Sequence, residues 1–168
     1  MYKLTQTNSE NSRLRSRSWG FSLVEVVVST AIITIVLLGL ATAANGAIVL
    51  SRETGKKIEA QFIAEEGLEV ARIMRDSSWD NFAALSTSTE YYLVFSGGQW
   101  ATSTTPNLVD GTFDRTISFH DVYRESHDDI STFGTFDPNT KKATVSVSWL
   151  KGSATTSVSM STYFAKIF

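Results

Sequence analysis

The longest uncharged stretch of this chain runs from Val26 to Ser51, a length of 26 residues, and valine, isoleucine, leucine and alanine dominate it. A helix needs about 20 apolar residues to cross the hydrocarbon core of a bilayer. In lipid every backbone polar group must find a partner, and a single segment satisfies this only as a helix. The stretch therefore predicts a membrane-spanning helix near the N-terminus. One acid, Glu25, stands at its start.

Charge divides the rest of the chain into a basic leader and an acidic remainder. The first twenty residues carry a formal charge of +3, with Glu10 as their one acid, whereas the residues after them sum to −5. Basic residues beside a membrane helix stay on the cytoplasmic side, so we expect the N-terminus in the cytoplasm and the C-terminal part outside. The predicted parts are a leader (1–20), a membrane half of the N-terminal helix (21–51), its amphipathic half (52–78) and a globular antiparallel β domain (79–168).

Composition and motifs exclude several classes of function. The chain has no cysteine, so a disulfide framework, a thiolate nucleophile and a cysteine-based zinc site are excluded. The acidic remainder lacks the basic face that nucleic-acid binding needs. Its serines form no nucleophile elbow, and no phosphate-binding glycine loop is present. We therefore expect a protein that is not an enzyme, uses no cofactor and binds no nucleic acid.

Three interpretations of the N-terminal region are open from these features. The apolar segment can be an uncleaved single-pass anchor. It can also belong to an ordinary secretory signal, for which Ala41-Thr42-Ala43 supplies a small-residue cleavage site. In both cases the remainder would be a secreted or membrane-anchored binding domain without enzymatic activity. The third interpretation depends on Gly20 and Glu25.

The sequence GFSLVE at residues 20–25 resembles the processing motif of type IV prepilins and type II secretion pseudopilins. The resemblance combines a glycine, a following phenylalanine, an acid five residues after the glycine, a basic leader and an apolar run; threonine is frequent where this chain has Ser22. It implies that a prepilin peptidase cuts between Gly20 and Phe21, methylates the new N-terminus of Phe21 and leaves the apolar helix in the mature protein. A glycine before the bond suits a narrow cleft because it has no Cβ.

The same resemblance gives Glu25 a role in assembly. It implies that the carboxylate compensates the positive amine of Phe21 on a neighbouring subunit and so sets the axial register of a filament. An acid costs about 2.5–3.5 kcal/mol at the bilayer centre and less near the interface, so the alternative is a glutamate solvated by lipid headgroups.

The resemblance also implies partners and a location. The partners are prepilin peptidase, other pilins or pseudopilins, an assembly platform protein with its ATPase and, before assembly, membrane lipid. The location is the inner membrane and then an extracytoplasmic filament of a pilus or of a secretion or competence system. The irregular loops and the absence of disulfides favour a minor subunit.

Small residues mark one face of the apolar segment. Gly39, Ala43 and Gly46 follow an i, i+4, i+7 spacing, which lets helices approach closely in lipid. Glycine and alanine are also common in membrane helices, which is the simpler explanation. A further hypothesis is that the two glycines form a weak point that loosens during assembly, because each costs about 1 kcal/mol in a helix interior.

The helical pattern continues past the uncharged stretch to about Asp76. Apolar and small residues share one face of this second half, and charged residues line the other. The two faces are Ile63, Gly67, Val70 and Met74 on one side, and Glu65, Glu69, Arg72 and Asp76 on the other. The pattern predicts one helix that is apolar all round in its first half and amphipathic in its second.

Alternation of apolar and hydroxyl residues in the C-terminal part predicts an antiparallel sheet. The clearest pair is a hairpin of strands 144–149 and 157–164 around a turn at 151–153. Because a sheet with one apolar face needs a cover, the amphipathic half-helix is expected to pack on it. The predicted fold class is α+β, pilin-like. The other predictions are strands at 91–95 and 112–123, a turn at 137–140, and loops at 86–89 and 101–105.

One polar cluster is a weak candidate for a metal site. It contains His120, Asp121, His127 and Asp128. The spacing of the histidines matches no standard zinc pattern, and no calcium-loop pattern is present. We therefore expect a solvated loop at the end of a strand and no bound metal.

Overall fold

The computed structural model describes residues 20–167. They form a long N-terminal helix and an antiparallel sheet, so the predicted α+β class is confirmed. By their internal contacts the residues divide into two units, one ending at Gly46 and the other beginning at Ala47. The elements are α1 (Leu23–Ser77), α2 (Trp79–Ala83), β1 (Glu90–Ser96), β2 (Gln99–Ser103), β3 (Leu108–Val109), β4 (Phe113–Arg124), β5 (Ile130–Ser131), β6 (Thr135–Lys151) and β7 (Ala154–Ala165).

In the first unit, the described residues are almost entirely helical. This part of α1 exposes its apolar side chains all round, and the helix is long and apolar enough to span a membrane. Three threonine hydroxyls donate hydrogen bonds to carbonyls of the preceding turn. Thr30 bonds to the Val26 carbonyl at 2.9 Å, Thr34 to that of Thr30 at 2.7 Å and Thr42 to that of Leu38 at 2.9 Å. These hydroxyls are therefore satisfied inside the helix, as is usual for threonine in apolar helices.

The sheet lies in the second unit and is antiparallel throughout. Its strands follow the order β2-β1-β4-β6-β7, with the short strands β3 and β5 also paired to β4. The last two strands form the predicted hairpin, in which β6 and β7 pair from Lys151 with Ala154 to Thr140 with Ala165. Within this unit α1 runs in the same direction as β7, because Glu53 is 3.5 Å from Lys151 at one end and Arg75 lies over the Phe164 ring at the other.

The core forms where the second half of α1 meets the inner face of the sheet. The predicted packing face is confirmed, since Ile63, Gly67 and Val70 are buried and Met74 packs at the margin. Small residues let the helix backbone come close to the strands. A Cβ on Gly67 would lie 2.9 Å from Cγ1 of Val145 on β6, which is closer than ordinary contact.

Two basic side chains are buried at this interface. Arg115 of β4 is 5% exposed; its Nη1 lies 3.5 Å from the Ile63 carbonyl and 3.4 Å from Oε1 of Glu66, both on α1. The Lys141 ammonium on β6 donates to the carbonyls of Ala83 and Leu85 at 2.5 and 2.6 Å. Burial lowers the pKa of Lys141, and the nearby Asp121 opposes this shift. Both cations therefore fasten helical segments to the sheet.

Two local predictions were wrong. Residues 137–140 lie inside β6 rather than in a turn. Along β4, Asp121 pairs with Lys141 but the next residue, Val122, pairs with Asp137, so β6 has three extra residues at this point. Pro138 falls in the resulting bulge, where a missing N–H is tolerated. Residues 101–103 belong to β2 instead of a loop. The segment after α1 contains the short helix α2, capped by Ser78, whose hydroxyl accepts a bond from the Asn81 N–H.

The far end of β4 and β6 is held by an ion pair. Nε of Arg124 lies 2.7 Å from Oδ2 of Asp137, and the same guanidinium donates to the Asp128 carbonyl at 2.8 Å and to the Thr140 hydroxyl at 3.3 Å. The hydrogen bond from Arg124 lowers the pKa of Asp137, helped by Thr140. This network fixes the loop between β4 and β6.

Candidate processing and assembly site

The peptide bond between Gly20 and Phe21 lies just outside the long helix. Residues 20–22 have no regular secondary structure, and α1 begins at Leu23. The Ser22 carbonyl accepts the first helical bond, from the Val26 N–H at 3.2 Å, which places Ser22 at a position where serine is favoured. Phe21 is 79% exposed. A peptidase that binds an extended substrate can therefore reach this bond without unwinding the helix.

Glu25 lies in the first turn of α1, three residues after Ser22. The Ser-x-x-Glu spacing is that of a capping box, and a carboxylate in the first turn is stabilised by the positive end of the helix by about 0.3–1 kcal/mol. Its side chain is exposed. Glu25 is thus positioned to stabilise the start of α1 electrostatically, apart from the assembly role that the resemblance implies. The sequence interpretation missed this capping spacing, although the residues that carry it are adjacent to the motif.

The alternative cleavage site lies in the middle of the helix. Residues 41–43 are within α1, and the Thr42 hydroxyl bonds to the Leu38 carbonyl at 2.9 Å. A peptidase would have to unwind several turns to cut there. Cleavage after Ala43 would therefore require local unwinding of α1, whereas cleavage after Gly20 would not.

The small-residue face is exposed along its length. Gly39, Ala43 and Gly46 are open to the surroundings, and a Cβ built on either glycine meets no atom within 4 Å. The helix continues through these residues without interruption. Close packing of another helix on this face, and loosening of the helix during assembly, both stay predictions.

The polar cluster is split between a strand and a loop. His120 and Asp121 are on β4, and Nε2 of His120 lies 3.2 Å from the Ser118 hydroxyl. His127 and Asp128 lie in the loop before β5, and Asp128 has a positive φ of 66°. Within residues 20–167 no three histidine or carboxylate side chains are grouped as metal ligands.

The basic leader, predicted at 1–20, lies outside the described residues except for Gly20. The comparison with family models nevertheless covers its end. Residues 15–41 match the model described as "Prokaryotic N-terminal methylation motif", and this range includes Gly20, Phe21, Glu25 and Gly39. Comparison with curated proteins and with solved structures gave no match. The matched range contains the start of α1 at Leu23. The chain therefore carries the N-terminal methylation motif that is the signature of type IV pilins and pseudopilins.

Proposed function

We propose that this chain is a structural subunit, a minor pilin or pseudopilin, of a type IV pilus or of a type II secretion or competence pseudopilus. One observation carries the proposal. The Gly20–Phe21 bond is not helical and lies just before an apolar helix that has Glu25 in its first turn, and the bond and Glu25 both lie within the matched residues. Gly20, Phe21 and Glu25 lie within six consecutive residues, which supports the proposal that cleavage, methylation and register all depend on this end of the helix.

The mechanism follows from charge and hydrophobicity. The leader holds the N-terminus in the cytoplasm while the apolar half of α1 lies in the inner membrane. Hydrolysis of the Gly20–Phe21 bond by prepilin peptidase frees a positive amine on Phe21, which the same enzyme methylates. The amine then pairs with Glu25 of a neighbouring subunit when an assembly ATPase and its platform protein move the helix into a filament. The exposed apolar residues of α1 are buried again against other helices, so the assembled state is stable once formed.

The N-terminal residue of the mature protein tests this proposal. The chain is produced with prepilin peptidase, and intact-mass and fragment-ion analysis identify its first residue. We expect N-methylated Phe21. Gly20→Val should block the cut, because a branched side chain does not fit where glycine is required, whereas the control Ala43→Leu should be processed normally.

The same measurement addresses the alternative function. A mature chain that starts at Ala44 and is lost in Ala43→Leu would show a secretory signal, and the remainder would then be a secreted binding domain. An unprocessed chain would show a permanent anchor. Either result contradicts the proposed function.

A further inference from the structure

Strand β7 leaves one side of the sheet open. It pairs with β6 along all twelve of its residues, and no other strand of residues 20–167 pairs with it. From Ala154 to Ala165 it contains no charged residue, no proline and no glycine. Sheets usually protect such edges with lysine, proline, bulges or very short strands. This edge has none of these protections.

The register shows which backbone groups face outward. The Lys166 N–H donates to the Asn139 carbonyl at 2.8 Å, in the same register as the pairs along β6 and β7. In an antiparallel ladder, alternate residues bond to the neighbouring strand and those between them point away. The even-numbered residues of β7 therefore bond to β6. The N–H and C=O groups of Thr155, Ser157, Ser159, Ser161 and Tyr163 point to the open side.

The two faces of β7 differ in chemistry. Val158 and Met160 are half-buried and pack at the margin of the core, as Leu68 of α1 does. On the other face, Ser157 and Ser159 are exposed. The apolar side chains of a strand added beside β7 would cover Val158 and Met160. The hydroxyl side chains of that strand would lie beside Ser157 and Ser159.

We propose that β7 is the docking edge for an extended strand of another protein chain, one without charges in which apolar and small hydroxyl residues alternate. The free backbone groups supply the hydrogen bonds, and the alternation sets the register, as in other cases of strand addition. A charged strand would leave its charges opposite Val158 or Met160, which is unfavourable. This inference goes beyond the proposed function.

The direction of α1 argues against a second copy as the partner, and this step rests on the proposed function. Because α1 runs in the direction of β7, antiparallel pairing of two β7 edges with both helices on one face would run the two helices in opposite directions. Subunits that insert through α1 into one membrane run in the same direction. Two β7 edges therefore do not pair in this way, and the proposal commits to a strand of a different chain, with a second copy as an outcome of the test.

A peptide-binding experiment on the full chain in lipid nanodiscs tests the proposal. The probe is a fluorescein-labelled peptide with the sequence of residues 154–165, which supplies the required alternation without the helix, and fluorescence anisotropy reports its binding. Ser159→Pro removes an outward N–H but no bond to β6, so it should weaken binding by at least about tenfold. Ser159→Ala keeps the N–H and should bind as the unchanged protein does.

Hydrogen exchange locates the bound strand. Peptide binding should protect the amides of Ser157, Ser159 and Ser161, while those of Val158 and Met160 are protected with or without it. If Ser159→Pro does not fold, a peptide methylated on alternate backbone nitrogens replaces it and should bind at least about tenfold more weakly than the unmodified peptide.

Three results would overturn the proposal: no binding at any peptide concentration, equal binding by Ser159→Pro, or protection that arises away from β7. A dimer of the chain that Ser159→Pro dissociates would also overturn it, because the edge would then belong to a second copy. The experiment uses the uncleaved chain and requires no filament. Its failure is thus distinct from a failure of N-terminal processing.

Discussion

Gly67 of α1 and Val145 of β6 approach so closely that a methyl group on the glycine would lie 2.9 Å from Cγ1 and 3.1 Å from Cγ2 of the valine. A larger side chain at residue 67 would push the helix and the sheet apart, so this contact keeps α1 close to β6. The helix therefore has glycine here in spite of its low helix propensity.

Gly67→Ala should destabilise the fold by about 1 kcal/mol. Alanine gains up to about 1 kcal/mol in helix propensity, but overpacking typically costs about 1–3 kcal/mol. Gly55→Ala is the matched control: it lies in the same helix, and its Cβ would meet nothing within 4 Å, so it should be stabilising. Thermal unfolding of both variants in detergent, followed by circular dichroism, makes the comparison. Equal stabilisation by Gly67→Ala and Gly55→Ala would show that the Val145 side chain moves aside with no loss of stability.

Glu66→Gln should destabilise the protein more than Arg115→Met does. The first change leaves a buried guanidinium without its acid, whereas the second removes the charge together with its desolvation cost. We expect Glu66→Gln to lower the free energy of unfolding by about 1 kcal/mol. The loss is no larger because Glu66 is half-exposed and solvent screens its charge. The control Glu69→Gln breaks the exposed pair with Arg72 and should change stability by less than about 0.5 kcal/mol. A larger loss in Arg115→Met than in Glu66→Gln contradicts this account.

Stability should fall in acid through Asp137. Its folded-state pKa lies below the ordinary value of 3.8 because Arg124 donates a hydrogen bond to it. The stabilisation is therefore complete above about pH 4 and is lost as the pH falls through the lowered pKa. Asp137→Asn should be less stable at neutral pH and lose less on acidification. Asp128→Asn is the control, since its carboxylate is 85% exposed. Unfolding curves between pH 2 and 7 measure the effect; identical pH profiles for Asp137→Asn and the unchanged protein would refute it.

Lys141→Met should loosen α2. The substitution leaves the carbonyls of Ala83 and Leu85 without their donor, and a buried unsatisfied carbonyl costs about 1–3 kcal/mol. We expect a net loss of about 2 kcal/mol and faster amide exchange in residues 79–85. The neighbouring control Lys142→Met, whose side chain lies over the exposed ring of Tyr163, should lose less.

The lowered pKa of Lys141 also predicts how the stability of the protein changes at high pH. Its pKa is lowered on folding, so the unfolded chain holds the proton more strongly. The contribution of Lys141 to stability therefore rises with pH between the lowered pKa and the ordinary value of 10.5. Lys141→Met should lack this rise. A rise of equal size in both proteins would assign it to other groups.

Glu25→Ala should permit cleavage after Gly20 and impair incorporation into a filament. In the proposed mechanism, loss of the acid removes the partner of the Phe21 amine, and it also weakens the helix start by about 0.3–1 kcal/mol. Glu25→Asp keeps the charge and separates these effects: it should retain more assembly than Glu25→Gln, which is nearly identical in shape. Immunodetection of the subunit in sheared filaments, beside mass analysis of its N-terminus, gives both readouts. Normal incorporation of Glu25→Ala would reject the role in register.

Periodicity and local motifs predicted the parts of the molecule that depend on neighbours in sequence. The uncharged run predicted α1, the alternation around residues 151–153 predicted the β6–β7 hairpin, and GFSLVE predicted the matched motif. Arg115 and Lys141 were missed, because their burial depends on carbonyls of α1 and the α2 segment that are far away in sequence. Pro138 was misassigned because a proline in a bulge and a proline in a turn have the same local sequence signature.

The threonine hydroxyls of α1 have a consequence for the life cycle of a subunit as proposed here. Each of the three in the first unit is bonded to a carbonyl of its own helix, so neither lipid nor a protein neighbour has to supply a partner. Moving this helix out of the bilayer, or back into it, breaks none of these bonds. Under the proposed function, a subunit released from a dismantled filament would re-enter the membrane with these bonds intact and would be available for another round of assembly.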